Sequence, residues 1–225
     1  MSPNYLRVKK NVSIKAIIFD FDGVLVESVD VKTRAFARMF EDKGEDVVQK
    51  VIAFHLKNGG LSRIHKFKYY YEEILKCSLS EDKLNELCNT FSQLVIDEVI
   101  NSPYVNGAKE FLEGYQCDID LYVASGTPED ELREIARCRE MDVYFKDIYG
   151  SPRQKGEIAR AIINQNGYNP SEVIFIGDFI TDLKGAQDAG TVFIGRVADS
   201  GNAPFAGMGV KAIKDLNDLE EIICR

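Results

Sequence analysis

The sequence predicts an α/β protein, a Rossmann-like parallel sheet core interrupted by an inserted block of helices. Three observations point there. Short apolar, β-branched runs recur at 14–19, 119–124, 173–176 and 192–194, with a last one at 210–213. Helical periodicity separates the later runs, and alternation of that kind gives a parallel sheet covered by helices. Between Ser28 and Pro103, by contrast, no strand pattern occurs and the apolar residues fall at helical spacing.

Taken in order, the run at 14–19 leads into Asp20-Phe21-Asp22-Gly23 and is the first strand. Four helices follow. Phe36, Met39 and Phe40 mark the first, which ends near Gly44; Val47, Val48, Val51, Ile52 and His55 mark the second, which ends at Asn58-Gly59-Gly60. Ile64, Phe67, Tyr71, Ile74 and Leu75 make a third, and Leu84, Leu87, Cys88, Phe91, Leu94 and Val95 a fourth. Within the third, Lys66-Phe67-Lys68-Tyr69-Tyr70-Tyr71 reads as buried rings alternating with solvated lysines. After the second strand run, Leu132, Ile135 and Ala136 place a helix at 128–139, and Ile158, Ala161 and Ile162 place another at 156–164.

Bulk composition narrows the function classes. With 225 residues, 45% of them hydrophobic and 28% charged, the chain has room for one medium domain plus an insertion. Its net charge of −8 argues against nucleic acid, whose binding needs clustered basic side chains. No stretch reaches the roughly 18 apolar residues of a membrane span, and Met1–Lys10 is polar and basic without an apolar stretch, so no secretory signal, no membrane and a cytoplasmic location are expected. Cys77, Cys88, Cys117, Cys138 and Cys224 are odd in number and lack metal-ligand spacing, as in a reducing compartment.

The chemistry concentrates at four stations. Asp20 and Asp22, two residues apart after a strand, project to the same side of its carboxyl end, where open α/β sheets hold their ligands. Ser125 and Gly126 follow the second strand run, where a hydroxyl and backbone N–H groups can grip phosphate oxygens. Lys155 opens a helix, with Arg153 as the rival cation, and Gly177-Asp178 with Asp182 follows the run at 173–176. Each has a plainer reading: a capped turn for Asp20 and Asp22, a helix-dipole acid for Asp182, and for Thr127 an N-cap before Pro128.

Together the stations resemble the four motifs of the haloacid dehalogenase (HAD) superfamily, in the branch of phosphoglycolate phosphatases and β-phosphoglucomutase. The resemblance implies a HAD-like core at 1–28 and 105–225 with a type-one helical cap at 29–104. It implies a phosphatase acting on a small phosphorylated metabolite, a sugar phosphate or a phosphoglycolate-like compound. Asp20 would be the nucleophile that becomes an aspartyl-phosphate, and Asp22 the acid and then the base. Ser125, Gly126 and Lys155 would bind phosphate. Asp20, Asp22 (through its backbone carbonyl), Asp178 and Asp182 would serve Mg²⁺, an ion that favours a few carboxylates. Asn58-Gly59-Gly60-Leu61-Ser62-Arg63 looks like the G-x-S-R specificity loop of the mutase cap, which would put Arg63 on the substrate; a solvated arginine after a Ser62 cap is the alternative. A phosphomutase and a non-catalytic binding protein are the competing functions. A dehalogenase is disfavoured by Asp22, and a phosphonatase would need a cap lysine such as Lys57, Lys66, Lys68 or Lys76. The partner expected is the metabolite alone, with the chain a monomer or small homo-oligomer.

Overall fold

The structure is a computed structural model that describes residues 13–198 and 204–223; Met1–Lys10 and Cys224 lie outside the described residues. A six-stranded sheet, every pairing parallel, runs in the order β3-β2-β1-β4-β5-β6. The strands are β1 (Ala16–Phe19), β2 (Asp120–Pro128), β3 (Asp147–Ser151), β4 (Val173–Gly177), β5 (Val192–Arg196) and β6 (Lys211–Ile213).

β1 lies at the centre, and all four of its residues are buried, as expected of a parallel strand covered on both faces. Its side chains alternate between two apolar layers. Ile17 and Phe19 join one with α5 (Ala108–Tyr115), α6 (Glu129–Cys138) and α9 (Leu219–Ile223), while Ala16 and Ile18 join the other with α7 (Lys155–Asn166) and α8 (Ile180–Ala189). The sheet is legible in sequence except for β3. Asp147-Ile148-Tyr149-Gly150-Ser151 forms an edge strand and buries too little apolar surface to stand out.

The chain leaves β1 toward β2 and β3 on one side, and β4 begins the other side, so the carboxyl ends of β1 and β4 meet at a topological switch point. Beyond β1 the chain folds tightly, with Leu25 and Val26 N–H donating to the Phe21 carbonyl. Gly23 has φ +77°, and a Cβ there would run into the Asp178 carboxylate. Glycine is thus what lets the β1 loop lie against β4's end.

The four expected helices of the insertion are α1 (Val29–Met39), α2 (Glu45–Lys57), α3 (Arg63–Tyr69), which continues through a π turn at Tyr70–Ile74, and α4 (Glu81–Asn101). They close around Phe36, Phe40, Phe67, Tyr70 and Phe91, with the Phe36 and Phe91 rings 4.3 Å apart. Two strands of chain tie them to the sheet: Glu27 N–H donates to the Pro103 carbonyl and Val105 N–H to the Leu25 carbonyl. No helix among the described residues is long and apolar enough to cross a membrane.

Candidate active site

Asp20 follows β1, Asp178 follows β4 and Asp182 sits in the first turn of α8; carboxylate oxygens of the three lie within 4.8 Å of one another. Lys155, at the first position of α7, is the cation set among them. Its Nζ is 2.8 Å from Asp20 Oδ2 and also contacts Asp182. Asp182 accepts in addition from Phe179 N–H at 2.9 Å, so it caps its helix and holds Lys155 at once. The helix N-terminal reading of Asp182 is thereby met. Gly177 is required here, since a Cβ would collide with the Asp182 side chain.

Three carboxylates against one lysine make a local excess of negative charge. Burial, then Asp182 and Asp22, push the Asp20 pKa up to about 7 even though Lys155 opposes them. Burial and the neighbouring Asp20 and Asp182 likewise raise Asp178. Burial alone would lower Lys155, but Asp182 and Asp20 outweigh it and hold the ammonium charged. Asp178 Oδ1 is buried without a hydrogen-bond partner. A hard divalent cation fits this donor set: oxygen ligands, excess negative charge and an orphaned carboxylate oxygen.

Asp22 has a different surrounding. Its side chain is turned to α1 and the β2 loop, where Ser28 Oγ donates to Oδ1 at 2.6 Å, Thr127 Oγ1 donates to Oδ2 at 3.2 Å and Lys32 pairs with Oδ2. Burial works to raise its pKa, but Lys32 and the two hydroxyls outweigh that and hold it below the usual carboxylate range. The side chain is not part of the carboxylate cluster, which leaves the backbone carbonyl as the family-implied contact. Ser125, at the end of the buried run of β2, accepts from Thr127 N–H at 3.1 Å and, with Gly126, lines the same cavity. Arg153 lies outside this arrangement, exposed and bonded to Glu129 at 2.7 Å.

The inserted helices close the cavity from the other side. A Cβ on Gly59 would strike the Phe179 ring and one on Gly60 would strike Thr181, while Gly126 faces the Gly60 carbonyl. Arg63 is buried, with its NH1 and NH2 donating to both Glu131 oxygens at 2.9 and 2.5 Å, NH1 also to Ser92 Oγ at 2.5 Å, and its guanidinium 4.7 Å from the Phe91 ring. The solvated alternative for Arg63 is thereby overturned. Ser62 does not cap α3 and is instead 2.8 Å from His65 Nδ1. The cavity between them is lined by Asp20, Asp22, Lys32, Lys66, Ser125 and Gly126.

The family model for haloacid dehalogenase-like hydrolases matches residues 17–196. The chain belongs to this family. Among its relatives, this hydrolase is 26% identical over 227 residues to a phosphorylated carbohydrates phosphatase of Thermotoga maritima, covering 93% of this chain and 100% of that one. It is 28% identical over 185 residues to a 5'-nucleotidase of Pseudomonas aeruginosa, covering 80% of each. Among solved structures, a predicted phosphoglycolate phosphatase from Haemophilus somnus 129PT superposes with a TM-score of 0.74 at 20% identity, over 94% of this chain and 99% of that one. The magnesium-bound HAD-hydrolase YfnB of Bacillus subtilis does so with a TM-score of 0.71 at 19% identity, over 95% and 100%. Both share the HAD fold with this chain.

Three residues of this HAD hydrolase's site escaped the sequence reading. Lys32 stands ten positions after Asp22 on a helix face, and nothing local distinguishes it from a solvated lysine. Thr127 was expected to cap α6; the structure has Pro128 preceding that helix without a side-chain cap, and the Thr127 hydroxyl bonds Asp22 and Lys32. Glu131 looks like a first-turn acid of α6 and instead clamps Arg63. In the aromatic run, Phe67 and Tyr70 are buried and Lys68 exposed as expected, but Lys66 is 3% exposed and not solvated.

Proposed function

We propose that the chain is a Mg²⁺-dependent phosphatase that hydrolyses a small phosphorylated metabolite, of the sugar phosphate or phosphoglycolate kind, through an aspartyl-phosphate on Asp20. The observation that carries this reading is the division of two neighbouring aspartates into unlike surroundings. Asp20 is set among buried carboxylates and Lys155, while Asp22 is gripped by Lys32, Ser28 and Thr127. Two carboxyl groups held apart in this way can divide nucleophile from acid and base. The names of the relatives above support a phosphatase acting on small phosphate esters.

In the mechanism, Asp20, Asp178 and Asp182 would hold the metal, which would supply positive charge against the negative charge of the transferring phosphoryl group. Lys155 opposes the protonation of Asp20 and binds a phosphate oxygen, with Ser125 and the Gly126 N–H holding others. Asp20 attacks phosphorus while Asp22 gives a proton to the leaving alcohol. Asp22 takes up that proton from solvent when the phosphate's charge arrives and raises its pKa, before Asp20 attacks. It then removes a proton from the water that cleaves the aspartyl-phosphate. Residues 29–104 act as a cap over a core of 1–28 and 105–225, opening for entry and excluding water once closed.

Hydrolysis of an aryl phosphate with and without Mg²⁺, with no bisphosphate primer, tests the reading. Metal-dependent release of free phosphate is expected. Turnover unaffected by a chelator, or none with Mg²⁺ present, would sink it.

A further inference from the structure

Asp22 stands two residues after Asp20 in the chain, yet its carboxylate lies outside the cluster that Asp20 forms with Asp178 and Asp182. Donors from three separate elements hold it there. Ser28 Oγ, on the linker before α1, donates to Oδ1 at 2.6 Å; Thr127 Oγ1, near the end of β2, donates to Oδ2 at 3.2 Å; and Lys32, in the first turn of α1, pairs with Oδ2. Lys32 Nζ also donates to Thr127 Oγ1 at 2.8 Å. One ammonium therefore fastens both the carboxylate and the hydroxyl beside it.

Of these partners only Lys32 is charged. A hydroxyl rotates to serve whichever acceptor is near, so Ser28 and Thr127 steady the carboxylate without choosing its direction. Lys155, the cation on the opposite wall, is already shared by Asp20 and Asp182. The side chains of Lys32 and Asp22 are only 14% and 15% exposed, so water screens their attraction little. Both line the cavity that Ser125 and Gly126 line, which is where a phosphate ester would lie. Lys32 can donate to Oδ2 whether or not the other oxygen of Asp22 carries a proton. The one contact thus serves Asp22 as acid and as base.

We propose that Lys32 is a positioning residue for the acid–base step, holding the Asp22 carboxyl group away from the Asp20, Asp178 and Asp182 cluster and turned toward the leaving oxygen. The inference rests on the phosphatase reading and adds to it a residue that stands outside the four sequence stations. Its consequence is selective. A lysine that only tied α1 to the sheet would alter turnover of every substrate alike, whereas one that aims the acid matters in proportion to how much the leaving group needs a proton.

The test uses the full chain with Mg²⁺ and two esters of nearly the same shape, phenyl phosphate and 4-nitrophenyl phosphate. Nitrophenolate is a weak base and departs unaided; phenolate is a stronger base and departs well only when protonated. Lys32→Met keeps the length of the side chain without its charge. It should lower kcat/KM for phenyl phosphate by about tenfold or more and for 4-nitrophenyl phosphate by about threefold at most. A folded Lys32→Met protein whose two values fall equally, or do not fall, overturns the proposal. If Lys32→Met does not fold, Thr127→Val decides by the same ratio, because it removes the hydroxyl that Lys32 and Asp22 share: a shift of the ratio in the same direction is expected, and an unchanged ratio overturns the proposal. A wild type that releases phosphate from neither ester would instead overturn the phosphatase reading beneath it.

Discussion

Across the cavity, the sheet edge and the inserted helices present opposite electrostatic plans. At the sheet edge Asp20, Asp178 and Asp182 outnumber Lys155. On the helical side stand Lys32, Arg63 and Lys66, of which Lys32 and Arg63 are met by Asp22 and Glu131 of the core. An excess of carboxylates suits a divalent cation and an excess of basic groups suits an anion, which is in keeping with the proposed metal and phosphorylated substrate. The walls are also held differently. Asp20 and Asp178 directly follow strands buried on both faces and Asp182 lies in the first turn of α8, whereas the helices reach the site through two linkers, glycine contacts and the Arg63–Glu131 clamp. Under the proposed function, the chemistry would lie with the sheet and selectivity with the inserted helices.

Removing the nucleophile should give the largest effect on the acidic wall. Asp20→Asn is expected to fold normally and to lose turnover by about three orders of magnitude or more, since an amide neither attacks phosphorus nor carries the charge that holds the ion. Activity within tenfold of wild type in a steady-state assay would break the assignment. Next comes the metal: a chelator should abolish activity, Mg²⁺ restore it and Ca²⁺, with its looser coordination, inhibit it. Asp178→Ala should raise the Mg²⁺ concentration for half-maximal rate at least tenfold, read from a metal titration.

The acid excess should also show in stability. The folded Asp20 pKa, about 7, lies above its ordinary value of 3.8, so its contribution is full below pH 3.8 and is lost as pH rises through 7. The chelated protein should accordingly weaken between about pH 4 and 7, by at most about 4 kcal/mol from this group, and Mg²⁺ should stabilise it more at pH 8 than at pH 5. Denaturant midpoints in chelator and in Mg²⁺ at both pH values check this; a stabilisation by Mg²⁺ independent of pH would separate the metal from the carboxylate cluster.

The smallest effects belong to the clamp. Because Arg63 is spent on Glu131, Arg63→Ala and Glu131→Ala should each lower kcat/KM for the preferred substrate several-fold, and the double variant should be little worse than either. Additive losses would mean that Arg63 binds substrate independently of Glu131.

Much of this could be read before any coordinates. The strands at β1, β2, β4, β5 and β6 and the helices α1 to α4 follow from apolar runs and periodicity, because burial on one or two faces writes itself into residue spacing. Asp20, Asp22, Asp178 and Asp182 stood out because carboxylates right after buried strands are where such sheets place their chemistry. β3 did not, since an edge strand with one strongly apolar residue leaves little pattern.

What the sequence determined alone is local: which segments can be strand or helix, and which side chains could serve a phosphate. Tertiary structure decided the pairings. Lys32 with Asp22, Thr127 with Asp22, Arg63 with Glu131 and Lys66 with His55 join residues 10 to 105 positions apart. A charged side chain looks the same in sequence whether it ends in water or in a cavity. Its electrostatic meaning is fixed only when the fold removes the water and chooses what stands opposite.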